Sequence, residues 1–266
     1  MIRRAVLSLL LPREEYEREA RKYPGDYFVF ERKTAEQVLY YFGANHSRDP
    51  KNPQYPALKK YWKEFLRATA GRERVVLIEG GLRKLERTEK TAITKAGAEG
   101  GLVTLLAHQA GVRVACPDID EETLMEQSSN LNKDEVLLYW FLSWLDNFQT
   151  HPEPKPDFEK AALLHCRQTA KRKMWTDVDV SLPRLKHLYK QVLAKEFDET
   201  VSPNDFINPN KTETPINKIA RVFSDMRDAH IVTTIEKYWN ESKNLFVVFG
   251  RGHLIIQKPA LETLLK

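Results

Sequence analysis

Hydrophobic residues cluster in the N-terminal half of the chain in patterns that predict strands separated by helices. Residues 27–33 and 37–47 are rich in aromatic and β-branched side chains and predict a β-hairpin. Residues 75–78 and 112–118 carry short apolar runs without polar alternation, which predict strands covered on both faces. Helical patterns occupy the intervening segments, at residues 56–71 and 98–111. This order predicts an α/β fold with a mostly parallel central sheet.

In the middle of the chain the hydrophobic residues recur with a different period. From about residue 121 to residue 193 the apolar positions recur at helical spacing, in the segments 134–148, 157–175 and 182–197. After an irregular loop, Thr214 and Pro215 suit the N-cap and first position of another helix. We predict a single α/β domain over residues 1–266, with residues 121–215 as a large helical insertion. We expect the insertion to cover the strand ends, where it would select the substrate and exclude water.

The last predicted strand is a run of five apolar residues that ends in the sequence Gly250-Arg251-Gly252-His253. We expect the two glycines to form a tight exit from the sheet, with the arginine directed to solvent between them. Such an exit would deliver the histidine to a cleft at the sheet edge. The pattern predicts a final short helix that begins near Pro259.

Two of the seven histidines directly follow a β-run, and both stand in a G-x-x-H sequence. Gly43 precedes His46, and Gly250 precedes His253. Ligands of open α/β sheets bind beyond the carboxyl ends of the strands, where glycine lets the backbone approach a ligand closely. A histidine in that place can bind a metal or transfer a proton. Glu79 also stands at a strand end, and a carboxylate there is costly unless it is paired or bound.

These three residues indicate a functional site, but they are compatible with more than one kind of chemistry. His46, Glu79 and His253 match the ligand set of an open metal site with room for water. They equally match a metal-free acid–base site in which the glutamate orients a histidine or raises its basicity. In the alternative interpretation the three residues have no catalytic role. The imidazoles would then only form hydrogen bonds with backbone groups, and Glu79 would be a solvated residue at the start of a loop.

Three further charged residues each suit two roles. Arg227 could extend over the strand ends as an anion or oxyanion clamp, or form an ion pair at the surface. Glu99 stands where a first-turn acid is favourable to the helix dipole, and it could equally support the site from behind. Asp118, just after the third strand, has the same two interpretations.

Composition and charge narrow the class of protein. The 266 residues are 42% hydrophobic and 30% charged, which fits a globular rather than a disordered chain. A net charge of +5 does not single out nucleic acid, so we expect no nucleic-acid partner. No apolar run approaches the ~18 residues of a membrane span, and the stretch 5–11 is too short for an export signal. We expect a cytoplasmic protein without a membrane partner, in which Cys116 and Cys166 are free buried thiols rather than a disulfide.

Four parts of the sequence resemble the TraB/TIKI family, within the wider group that includes erythromycin-esterase-like and ChaN-like proteins. They are DYFVFERKTAEQVLYYFGANHS, VVLIEGG, MRDAHI and LFVVFGRGHLIIQKPALETLL, and the resemblance covers about residues 27–118 and 216–265. The family motifs fall on Gly43, His46, Glu79, Arg227, Gly250, Gly252, His253 and Leu254. The sequence departs from the family at Asp228, where an asparagine is usual, and at Ile231, which replaces a methionine.

The resemblance implies an α/β fold with a helical insertion and a hydrolase-like site, since family members include metal-dependent proteases and ester-cleaving enzymes. It implies that the catalytic residues are His46, Glu79, Arg227 and His253. A divalent metal ion, in the metal-dependent case, would bind His46, Glu79 and His253, with Gly43, Gly250 and Gly252 close to the bound cofactor. We expect a small-molecule or peptide substrate with an ester or peptide-like bond. The alternative is a binding protein that uses the same cleft for a small anion or peptide.

Overall fold

The sheet has five strands and both parallel and antiparallel pairs. The computed structural model describes residues 4–120, 123–124, 130–149, 154–172, 175 and 178–266. The strands are β1 (Tyr27–Lys33), β2 (Val38–Ala44), β3 (Arg74–Ile78), β4 (Arg113–Ala115) and β5 (Asn244–Gly250). Their order in the sheet is β1-β2-β5-β3-β4, and only the β1–β2 hairpin is antiparallel. The predicted α/β fold with a mostly parallel sheet and an N-terminal hairpin is confirmed.

Helices connect and flank these strands. They are α1 (Arg4–Leu7), α2 (Tyr16–Ala20), α3 (Gln54–Ala68), α4 (Glu89–Lys95), α5 (Ala98–Gln109), α6 (Lys133–Gln149), α7 (Phe158–Arg172), α8 (Leu182–Leu193), α9 (Asn204–Ile207), α10 (Pro215–Asn240) and α11 (Arg251–Leu264). Thr214 caps α10 as predicted, since its Oγ1 accepts a hydrogen bond from the Asn217 N–H at 3.1 Å. No helix in the described parts of the chain is long and apolar enough to cross a membrane.

The chain divides into two compact units. One comprises Met1–Ile119 and Arg227–Lys266 and contains the sheet, and the other is Asp120–Met226. The three helical segments predicted in the middle of the chain are present as α6, α7 and α8, which pack around a core of their own that includes Phe141 and Leu185. The predicted start of the insertion, residue 121, lies outside the described residues. A single domain, with the insertion 121–215 covering the strand ends, stays a prediction.

The central strands are covered on both faces. Every residue of β2 and β5 is buried. Tyr41 and Val247 belong to an apolar cluster that also contains residues of α10 and α11. Their neighbours Phe42 and Val248 belong to a second cluster, with residues of α3 and α5. Because neighbouring side chains of a strand point to opposite faces, the two clusters lie on opposite sides of the sheet.

Two predictions about single elements are wrong. The strand predicted at residues 112–118 is shorter, Arg113–Ala115, and it is not buried as predicted, because its first residue is exposed and the other two are half-buried. The last helix begins at Arg251 rather than near Pro259, which lies inside it. Burial of Leu254 and Ile255 in the first turns of α11 outweighs the weak helix propensity of Gly252.

The expected path of the chain after β5 changes with this helix. Arg251 is not directed to solvent, since its Nη1 donates to the main-chain oxygens of Tyr23 at 3.1 Å and Gly25 at 2.6 Å. Gly252 lies in the first turn of α11 and does not have a positive φ. The expected glycine turn is therefore absent from this segment. The two cysteines are free as predicted, although Cys116 is only half-buried.

We predict opposite outcomes for one substitution at two helical glycines. A Cβ at Gly101 in α5 would collide with the main-chain oxygen of Ala92 and lie 2.7 Å from that of Ala96. At Gly252 the nearest atom to a Cβ is Tyr16 Oη, at 3.4 Å. Gly101→Ala should lower the free energy of unfolding by about 2 kcal/mol or more, as overpacking does. Gly252→Ala should be neutral or stabilising.

Urea denaturation of both variants, monitored by circular dichroism, measures this difference in the free energy of unfolding. Equal destabilisation by the two substitutions would contradict the close packing of α4 against α5.

Candidate active site

Three strand ends meet at one edge of the sheet. Strand β5 lies between β2 and β3 and runs parallel to both, with Gly250 opposite Ala44 and Val248 opposite Ile78. The residues that follow these strands therefore emerge together. His46 comes two residues after β2, Glu79 directly after β3, and His253 in the first turn of α11 after β5.

The Glu79 carboxylate joins these strand ends. Its Oε2 lies 3.3 Å from His46 Nε2 and accepts a hydrogen bond from the Gly250 N–H at 2.7 Å. Its Oε1 lies 3.4 Å from His253 Nε2 and accepts a hydrogen bond from Arg227 Nη2 at 3.0 Å. The predicted meeting of the two histidines with Glu79 is observed.

Each imidazole is also held at its other nitrogen by a buried carboxylate. His46 Nδ1 lies 2.6 Å from Glu99 Oε1, and Glu99 stands in the first turn of α5. His253 Nδ1 lies 2.6 Å from Oδ1 of Asp228, a fully buried residue of α10. A proton on Nδ1 donates to the carboxylate in each pair, which directs Nε2 toward Glu79. Of the two roles open to Glu99, the structure assigns it the support of His46.

Asp228 is itself held by groups that the sequence did not reveal. Its Oδ2 accepts from Arg13 Nη2 at 2.6 Å, and its Oδ1 accepts from Gln257 Nε2 at 2.7 Å. The Tyr41 hydroxyl donates to Gln257 Oε1 at 3.0 Å. All of these residues are buried, so the chain of hydrogen bonds behind His253 is closed to solvent.

Arg227 lies inside the site rather than in an ion pair at the surface. Its Nε donates to Asp118 Oδ1 at 2.6 Å, and its Nη2 reaches Glu79. The Gly80 N–H donates to the second oxygen of Asp118 at 2.5 Å. Asp118 therefore fixes the guanidinium in front of the strand ends, where it can interact with an anion.

Charge at the site is dominated by acids. The side chains directly in contact are the carboxylates of Glu79, Glu99, Asp118 and Asp228 and the guanidiniums of Arg13 and Arg227. With every carboxylate ionised these groups leave an excess of two negative charges. Protons on the two imidazoles would balance that excess, so the site favours protonated histidines.

The pKa values follow this imbalance. Hydrogen bonds to Glu79 and Glu99 outweigh burial and raise the pKa of His46 to about 10. Burial lowers the pKa of His253, but the charges of Asp228 and Glu79 outweigh it and raise that pKa to about 9. Burial would raise the pKa of Glu79, but His253, His46 and Arg227 hold it well below the usual range of a glutamate.

Two contacts of His253 Nε2 suit different protonation states. Arg227 Nη1 lies 3.0 Å from this nitrogen and can only donate, which requires the lone pair of a neutral ring. Glu79 Oε1, at 3.4 Å, would accept from a protonated ring. A proton on Nε2 would make the shorter contact, with Arg227, repulsive. His253 is thus more easily left neutral than the carboxylates alone suggest.

The predicted metal ligands do not fit a metal ion in this arrangement. The atoms that would face the metal, His253 Nε2 and Glu79 Oε1, each lie 3.0 Å from a nitrogen of the Arg227 guanidinium. A second cation there would be repelled at short range. In the part of the chain that the structure describes, no group of three His, Cys, Asp or Glu side chains is arranged to hold a metal.

The glycines of the two G-x-x-H sequences allow close approaches within the chain. A Cβ at Gly250 would lie 2.7 Å from His46 Nε2. A Cβ at Gly43 would lie 3.0 Å from Leu254 Cδ2 and 3.1 Å from Arg251 Cα. Gly250 therefore lets the second strand end approach the histidine of the first. The expected contact of Gly43, Gly250 and Gly252 with a cofactor stays a prediction.

Comparison with protein-family models, with curated proteins and with solved structures finds no match for this chain. The resemblance to the TraB/TIKI family stays a prediction that depends on the motif residues alone.

We predict that the carboxylates can be detected through the titration of His46. Its ring should titrate near pH 10, and Glu99→Gln should lower that pKa because one of the two acids that stabilise the imidazolium is lost. Glu262→Gln makes the same chemical change in the pair that Glu262 forms with Lys258 and serves as the control. NMR of the imidazole resonances against pH measures both, and an unchanged His46 titration in Glu99→Gln would refute the assignment.

We also predict that Gly250→Ala disturbs the site without unfolding the protein. The backbone of Gly250 has φ −55° and ψ 142°, which alanine adopts without strain. The new methyl group would displace the His46 ring from Glu79. The imidazole resonances of His46 should shift in Gly250→Ala, whereas Gly252→Ala should leave them in place. Equal spectra for the two variants would argue against the close approach.

Proposed function

We propose that the protein is a hydrolase that cleaves an ester or peptide-like bond by acid–base catalysis at His46, with no metal in the reaction. The observation that supports this most strongly is the pairing of two imidazoles, each held through Nδ1 by a buried carboxylate, with one shared glutamate. A histidine whose Nδ1 donates to a carboxylate presents a basic Nε2, the arrangement that general base catalysis requires.

His46 is the histidine that can reach a substrate. Of its side chain 59% is exposed, against 17% of His253. Neutral His46 would take a proton from water at Nε2 as the water oxygen attacks the carbonyl carbon. The tetrahedral intermediate then collapses, the bond to the leaving group breaks, and His46 returns its proton to that group.

Arg227 would supply the positive charge of the site, with His253 packed against it. As the carbonyl oxygen becomes negative, a fixed guanidinium nearby lowers the energy of the transition state. Asp118 and Glu79 keep Arg227 in place, and Asp228 keeps His253 in place. Glu79 contacts both His46 and Arg227 and so fixes the distance between the base and the guanidinium.

The resemblance to the TraB/TIKI family supports hydrolysis, and it also implies a metal in some members. The two possibilities are separable by metal analysis of protein purified without chelator. We expect no stoichiometric divalent metal and no loss of hydrolysis with EDTA. A stoichiometric metal whose removal abolishes hydrolysis would replace the mechanism proposed above with a metal-dependent one.

We predict that His46→Gln lowers the kcat/KM for 4-nitrophenyl butyrate by about 10²–10⁴-fold, the usual contribution of a general base. His108, exposed on α5, provides the matched control His108→Gln, which should retain activity. Since the base must be neutral and its pKa is raised, wild-type kcat/KM should increase with pH up to about 10. Glu99→Gln should move that rise to lower pH.

Initial rates across a pH series, together with thermal melts, make this measurement. Retention of full activity in His46→Gln, or its equal loss in His108→Gln, would remove His46 from the reaction. If wild-type protein hydrolyses neither neutral nor anionic esters nor peptides, the alternative function, a binding protein that uses the same cleft, would be favoured.

A further inference from the structure

Arg83 lies against three glycines beside the candidate active site. It belongs to the loop after Glu79, and its Nη2 donates to the main-chain oxygen of that residue at 2.7 Å. A Cβ at Gly80 would lie 2.7 Å from Nη2, one at Gly97 would lie 3.0 Å from Nε, and one at Gly100 would lie 3.3 Å from Nε. A side chain at any of the three positions would crowd the guanidinium, most severely at Gly80.

Among the residues that the structure describes, no carboxylate pairs with this guanidinium. Arg13 and Arg227 each pair with a buried or half-buried carboxylate in the same unit. Within the residues that the structure describes, Arg83 has no ion pair, and its buried Nε has no hydrogen-bond partner. Holding a half-buried charge without an anion is unfavourable, and a bound carboxylate or similar group would relieve that cost.

Arg83 also contacts the backbone beside the two carboxylates that hold His46. It bonds the main chain of Glu79, whose side chain contacts His46. Its Nε faces Gly100, the neighbour of Glu99, which holds the other side of the His46 ring. A substrate whose reacting bond lies at His46 could therefore place an anionic group at Arg83.

The same loop carries exposed apolar side chains. Leu82, directly before Arg83, is 70% exposed, and Leu85 is 44% exposed. Leucines on both sides of an arginine suit a ligand that combines an anionic group with a hydrocarbon chain. Such a ligand is an organic carboxylate rather than an inorganic ion.

We propose that Arg83 binds a carboxylate carried by the substrate, so that the protein hydrolyses esters or amides of acidic compounds. This inference rests on the proposed hydrolase function and adds the substrate class to it. A guanidinium forms two parallel hydrogen bonds with a carboxylate, and a charged hydrogen bond changes affinity by about tenfold to a hundredfold.

Two esters of equal length test the proposal. The 4-nitrophenyl monoester of adipic acid ends in a carboxylate, and 4-nitrophenyl hexanoate ends in a methyl group. Wild-type protein should prefer the anionic ester by at least about tenfold in kcat/KM. Arg83→Gln should abolish that preference, and Arg83→Lys should retain part of it. Lys84→Gln, which removes an exposed neighbouring charge, should leave it unchanged.

The ratio of kcat/KM for the two esters distinguishes a substrate-binding role of Arg83 from a structural one. If Arg83 were only structural, Arg83→Gln would lower both activities equally. That result, or a wild type without preference, would overturn the inference while leaving the hydrolase function intact. If neither ester is hydrolysed, the proposed function fails, and calorimetry with free adipate decides the subsite. The subsite is supported if wild type and Lys84→Gln bind adipate and Arg83→Gln does not. Absence of adipate binding to wild type would overturn it.

Discussion

The structure of the site depends on the compensation of one largely buried charge. The Glu79 carboxylate directly follows strand β3, and a carboxylate in such a place without partners would cost several kcal/mol. Its partners are a backbone N–H of β5, the guanidinium of α10 and two imidazoles, so every compensating group comes from a different element. The sheet order β2-β5-β3 brings these elements together, so the fold provides the partners that the Glu79 charge needs.

The two imidazoles are supported from opposite faces of the sheet. Glu99 belongs to α5, whose Leu102 packs in the cluster on one face, and Asp228 belongs to α10, whose Ile231 packs in the cluster on the other. Hydrophobic packing of each helix thus sets the position of one carboxylate. Because packed interiors resist displacement, the two histidines are held at fixed positions on either side of Glu79. The two apolar layers thus provide the rigidity that the proposed acid–base catalysis would need.

Features that depend on local pattern could be predicted from the sequence. The hairpin, the buried strand at residues 75–78 and the paired G-x-x-H sequences all follow from periodicity and strand ends, and they led to His46, Glu79 and His253. The start of α11 at Arg251 could not be predicted in this way, because glycines favour a turn locally and only burial of the following residues favours the helix. The Arg13–Asp228 pair joins residues 215 positions apart, and no local signal links them.

Asp228 shows how one departure from the expected pattern depends on a distant residue. The resemblance to the TraB/TIKI family predicts an asparagine here, whose side-chain oxygen could accept a hydrogen bond from His253 Nδ1–H without bringing a charge. The aspartate is fully buried, and its charge needs compensation beyond one imidazole. Arg13 provides it at 2.6 Å, from a segment that precedes the whole sheet. The arginine at position 13 therefore compensates the acid at position 228. Burial lowers the pKa of His253, but Asp228 together with Glu79 keeps it above that of a free histidine.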